Sequence, residues 1–144
     1  MEQNWEDCWF DLVSPLATEL EATALKGELD VSNIEHRIFA LHKYILDVNN
    51  GGFLQFFCNW GYQCYLCLCR ALEEINASEH KVNLTKQYNI IEKYSDVVES
   101  LWGLPKYISS EEADRLSEFD EALGELEKAE SLCEIGYKYY IVKL

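Results

Sequence analysis

Four cysteines, Cys58, Cys64, Cys67 and Cys69, crowd into twelve positions, and His36, His42 and His80 complete the residues that could bind a metal or attack an electrophile. Zinc sites draw on Cys-x2-Cys or His-x3–5-His units carried on turns. Cys64 and Cys67 have that spacing, but they fall on the apolar stripe of a helical pattern, and no second such unit exists. A thiol in that setting behaves as a small hydrophobe. His36 and His42 are six positions apart, so they do not share a helix face. Nucleophile-elbow, Walker-type and dinucleotide-binding motifs are absent. The expectation is core packing for the thiols, no metal, no cofactor and no enzymatic activity.

The remaining chemistry is charge. Across 144 residues there are 26 acids and 12 bases, a net charge of −14. Lysine and arginine supply affinity for phosphate, so this balance argues against direct nucleic-acid binding and against anionic membranes. It favours basic partners. The acids are concentrated at the two ends: residues 1–30 carry a balance of −7 and residues 111–144 one of −6. On an ideal helix Glu111, Asp114, Glu118, Glu121 and Glu125 fall within about a quarter turn of one another. Like charges at such spacing cost stability, so the fold tolerates this row without needing it. It is either a solvated face or a surface that offers carboxylates as a duplex offers phosphates.

Helices must position these residues. Helical spacing recurs along the chain, while sustained apolar–polar alternation does not occur. Trp5, Cys8, Trp9 and Leu12 predict a short first helix; Ser14-Pro15 restarts the chain into a second, carrying Leu16, Leu20 and Ala24 and ending near Gly27. Ser32 with Glu35 reads as a capping box that opens a helix to about Val48, with Ile34, Ile38, Leu41 and Ile45 inward. A short helix from Phe53 to Trp60 ends at Gly61, and another runs from Tyr62 to about Ile75. Residues 79–102 form the next, stopped by Gly103 and Pro105; Ser109 with Glu112 caps the last, which runs to Tyr140 with Gly124 as a break point. The fold class is all-α: one acidic domain over 1–144, a compact bundle of about six to eight helices. The N-terminus lacks a secretory pattern and no apolar run reaches the roughly 20 residues of a membrane span. The expected location is cytoplasmic, with reduced thiols.

The stretch NNGGFLQFFCNWG at 49–61 joins two of these elements. Asn50, Gly51 and Gly52 suit a helix end, because Asn and Gly accept left-handed backbone. Phe53, Phe56, Phe57 and Trp60 follow at i, i+3, i+4, i+7 and would pin the next helix into the core. The Asn-Gly-Gly-Phe core, the Gln-Phe-Phe after it and the following Asn resemble the signature of the bacterial DNA-mimic protein family. ALEEINA at 71–77, LSEFDEAL at 116–123 and a Tyr-containing terminal helix extend the resemblance over residues 30–144; residues 1–30 match weakly. The Cys-rich helix and the final YKYYIVKL lie outside the pattern.

The resemblance implies an acidic, all-helical protein that imitates DNA and occupies the nucleic-acid-binding face of a regulator. Under it Glu111, Asp114, Glu118, Glu121 and Glu125 stand in for phosphates. Glu2, Glu6, Asp7 and Asp11 extend the row if the two ends of the chain lie side by side. The expected partner is a basic DNA-binding protein such as a transcription regulator or a nucleoid or defence protein, and a homodimer is possible. The alternative is an immunity or antitoxin-like inhibitor of one toxin or defence enzyme, held by apolar contacts and therefore less sensitive to salt.

Overall fold

Asn4 opens the first helix by accepting a hydrogen bond from the Asp7 amide at 3.1 Å. In the computed structural model, which describes residues 3–144, helix α1 then runs unbroken over Trp5–Leu25. Two helices divided at Ser14-Pro15 were expected; one forms. An interior proline removes a backbone bond and costs about 3 kcal/mol, yet Trp9, Val13, Ala17 and Ala24 stay on a single buried stripe across it. Continuous burial of that stripe outweighs the local penalty. The helix ends where expected, with Gly27 left-handed at φ 70° and the Glu28 amide reaching back to the Thr23 carbonyl at 3.1 Å.

Helix α2 spans Ile34–Val48, but its cap is Asn33 rather than Ser32. The Asn33 side-chain oxygen accepts from the Glu35 amide at 2.9 Å. Ser32 is engaged in the preceding turn, where its hydroxyl donates to Asp30 at 2.7 Å. Nearby, His36 Nδ1 accepts the Asp30 amide at 2.8 Å, so this histidine closes a turn.

Helix α3 covers Gly52–Glu74 and is kinked at Gly61, whose φ of 82° and ψ of −171° interrupt the helix at the expected residue. Phe53, Phe56, Phe57, Cys58, Cys64, Cys67, Leu68, Ala71 and Leu72 are all buried within the one chain. Their rings interlock: Phe57 and Tyr65 both pack on Tyr88 of the next helix, with the two tyrosines stacked at 4.4 Å. Helix α4, Ser78–Ser95, is shorter than the expected 79–102. The chain turns there and forms a 3-10 segment, Leu101–Lys106, which contains Gly103 and Pro105 instead of stopping at them. Leu104 of this segment is fully buried, and the Cys58 thiol donates to the Leu101 carbonyl at 3.2 Å, so tertiary contact holds it.

Helix α5, Ser110–Ala129, carries the expected Ser109–Glu112 capping box and passes through Gly124 without a break. The break falls at Glu130, whose backbone is extended, and Ser131 caps helix α6, Leu132–Tyr140. These seven helical segments make the described chain 79% helical with no strand. α2 and α3 form the central pair; α4 and α5 lie together on one side, and α1 with α6 on the other. Gly136 allows α6 to approach: a Cβ there would sit 2.9 Å from the Trp9 ring. None of the helices among the described residues is long and apolar enough to cross a membrane.

Candidate functional site: an acidic helix beside the chain ends

α5 buries Leu116 and Leu123 and turns the opposite side to solvent. Glu111, Asp114, Glu118, Glu121 and Glu125 are all exposed there. Along an α-helix the row extends about 21 Å. Two bases lie beside it: exposed Arg115, between Asp114 and Glu118 in the chain, and Lys128, 3.0 Å from Glu125, with both of those side chains about three-quarters exposed at 75% and 77%. Exposed pairs of this kind contribute little, so the row keeps most of its charge. Glu112 belongs to a different face. The Ser109 amide, the Tyr94 hydroxyl and Lys93 hold its carboxyl down to about 2, and it serves the cap and the α4 contact.

At the other end of the chain Glu6, Asp7 and Asp11 are exposed on α1; Glu2 lies outside the described residues. α1 packs along α6 rather than along α5. The acidic ends meet locally, where Glu6 of α1 and Glu127 of α5 line one cavity. Glu127 was not singled out from sequence. Burial raises its carboxyl above the usual range, and Glu6 adds to the effect.

The Asn-Gly-Gly-Phe stretch has structural partners. Asn50 and Gly51 are exposed, Gly52 is left-handed at φ 82°, and the Phe53 amide donates to Asp120 Oδ1 of α5 at 3.3 Å. Asp47, at the end of α2, accepts from Gln55 at 3.3 Å, Asn59 at 3.2 Å and the Trp60 indole at 3.1 Å. Trp60 itself is half-buried, against the Phe39 ring. The polar residues of the stretch thus tie α3 to α2. Asp47 and Asp120 were missed because nothing in their local sequence marks them as receptors for donors so far along the chain.

A second such receptor is Glu74, which takes two bonds from Arg37 at 2.6 and 3.1 Å and one from the Tyr140 hydroxyl at 2.9 Å. Burial opposes ionisation of Glu74, but the Arg37 and Tyr140 donors outweigh it and the pKa is lowered. This ties the terminal helix to the central pair.

The thiols behave as core residues. Cys58, Cys64, Cys67 and Cys133 are buried; burial pushes Cys58 and Cys67 up to about 11, Cys133 to about 12, and Cys64 well above the ordinary range. A thiol held neutral is a poor nucleophile and a poor ligand. Among the described residues no cluster of three His, Cys, Asp or Glu side chains could hold a metal ion. His42 is also structural: Nδ1 accepts the Trp9 indole N–H at 3.1 Å.

Comparison with known proteins gives one result. No curated protein and no solved structure matches this chain significantly. A family model, described as DMP19-like protein, matches residues 30–141, which include the Asn-Gly-Gly-Phe stretch, the kinked α3 and the acidic α5. The chain belongs to the DMP19-like protein family, the family of DNA mimics.

Proposed function

We propose that this protein binds the nucleic-acid-binding face of a basic DNA-binding protein and blocks DNA binding by competition. The carrying observation is the row Glu111, Asp114, Glu118, Glu121 and Glu125, exposed along α5 on the side opposite its buried leucines in a chain of this family. The partner's lysines and arginines pair with these carboxylates in place of phosphates, and the excess charge speeds encounter. Duplex DNA presents about one charge per 1.7 Å of axis, so five carboxylates along about 21 Å are a sparse imitation by themselves. The acids of α1, with Glu6, Asp7 and Asp11 exposed, add to the overall negative field rather than to this row, because Glu6 approaches α5 at Glu127, on the side of Leu123. The protein works in the cytoplasm, without catalysis.

Reversal of Glu118, Glu121 and Glu125 to Lys tests this reading. The triple variant should remain folded by circular dichroism and lose capture of a DNA-binding protein from host lysate. Retained capture would sink the assigned face. Release of the captured protein by moderate salt and by added duplex DNA is the expected signature of mimicry.

One observation favours the immunity-like alternative: Leu25, Tyr62 and Trp102, exposed by 66%, 48% and 58%, border a single shallow groove. A partner seated on that apolar surface would resist salt and ignore DNA.

A further inference from the structure

Between α2, α4, α5 and the start of α6, with Glu6 and Phe10 of α1 at its side, lies a cavity of about 200 Å³. An apolar cavity of about 150 Å³ accommodates benzene, so this space suits a small ring or short chain. Phe10, Ile45 and Leu123 supply apolar walls. Two side chains that line it are almost wholly buried and carry polar atoms without a partner among the described residues: the Tyr44 hydroxyl and His80 Nδ1. Buried polar atoms without partners are costly and uncommon in native proteins. Tyr44 lines the space together with Leu123 and Glu127 of α5.

The chemistry of this set is acceptor-rich and negative. His80 Nε2 lies 3.3 Å from the Glu130 carbonyl. A carbonyl only accepts, so Nε2 carries a proton, and in the neutral tautomer Nδ1 is left as an acceptor. The Tyr44 oxygen accepts as well. Glu127 Oε1 takes the Leu132 amide at 2.9 Å, which leaves further acceptor capacity on the carboxylate. Glu6 adds a second carboxylate, and among the described residues no lysine or arginine lines the space. The basic group beside Glu127 is the His80 ring, with Nε2 4.0 Å from Glu127 Oε1; while that ring is neutral, the half-buried carboxylate gains most from a cation that brings its own donors.

We propose that this cavity binds a small organic cation, an amidinium, guanidinium or ammonium group on an apolar body. The charged head is received by Glu127, Tyr44 and His80, and the body lies against Phe10, Ile45 and Leu123. The site does not depend on the acidic helix having a partner.

Titration of the full chain with benzamidine, its neutral isostere benzamide, and methylammonium, followed by amide chemical shifts and calorimetry, tests it. Benzamidine should bind with one-to-one stoichiometry, with shifts confined to residues around Tyr44, His80 and Glu127. Benzamide and methylammonium should each bind at least about tenfold more weakly, the first lacking the charge-assisted bonds and the second the apolar body. Glu127→Gln, which can still accept the Leu132 amide, should weaken benzamidine about tenfold or more. If that variant unfolds, the exposed Glu6→Gln keeps the test open and should weaken binding by a smaller factor. Equal binding of benzamide, shifts spread along α5, or no binding at all would overturn the site. An arginine stand-in, acetylarginine methylamide, separates the two sources of such a cation. Affinity near that of benzamidine assigns the cavity to an arginine delivered by a polypeptide, and markedly weaker affinity assigns it to a free small molecule.

Discussion

The Phe53 amide donates to the Asp120 carboxylate at 3.3 Å, joining the start of α3 to the middle of α5 across 67 positions of sequence. This bond explains why Gly52 stands where it does. Its φ is 82°, and a Cβ there would collide with the same carboxylate that receives the Phe53 N–H. Gly52→Ala should therefore destabilise the protein by about 1–3 kcal/mol, through left-handed strain and loss of the contact. Gly51→Ala should cost less, because its φ is not left-handed and its Cβ would meet the Gln55 side chain, most closely at the movable amide end. Urea denaturation of the two variants checks the difference in sign and size.

Pro15 sits exposed within α1 with its helix continuous on both sides. Pro15→Ala restores a donor and removes a ring clash, so it should stabilise the fold by about 1–2 kcal/mol after the looser unfolded chain is allowed for. A midpoint at or below that of the parent would show that the proline is needed for the line of the helix.

His42 is buried, and burial, with Lys43 contributing, lowers its pKa to about 4. Protonation would also abolish acceptance of the Trp9 indole N–H by Nδ1. The unfolded chain takes up this proton near pH 6.5 and the folded one near 4, so between those values the unfolded state binds more protons. The contribution is complete above pH 6.5 and is lost as pH falls toward 4, amounting to about 3 kcal/mol at most. Proton NMR should show a His42 titration midpoint near 4, and chemical denaturation should show declining stability through that window. An ordinary midpoint near 6.5 would contradict the assigned burial.

The carboxylate row makes an opposite kind of prediction. Glu118 and Glu121 are exposed and lie at helix-neighbour spacing with Glu125, so they repel. Changing Glu118 and Glu121 to Gln should raise stability by a few tenths of a kcal/mol at low salt, and the gain should fade as salt screens it. Loss of stability in this variant would mean that the acids hold the fold together rather than serving an outside partner.

Helix identity was legible because a helix writes its buried side into local spacing. The spacing puts Ile38, Leu41 and Ile45 on α2 and Cys64 and Cys67 on α3 inward, and they are buried, while Ile34 at the start of α2 is partly buried. The break at Gly61 and the Ser109–Glu112 cap were equally local and equally legible. The exposed row on α5 follows from the same periodicity, as the side left over once Leu116 and Leu123 turn inward.

Boundaries went astray where local signals competed with packing. Pro15 does not divide α1, because its buried stripe runs through it, and Pro105 lies inside a turn held by Leu104 in the core. Asn33 rather than Ser32 caps α2, because Asp30 engages the serine first. What only the tertiary structure decided are the meetings between distant residues. Asp47 gathers Gln55, Asn59 and Trp60, Glu74 receives Arg37 and Tyr140, and Glu6 comes to line one cavity with Glu127. A side chain's receptor depends on how whole helices cross. That crossing is settled by the summed burial of many apolar residues, which no short window of sequence contains.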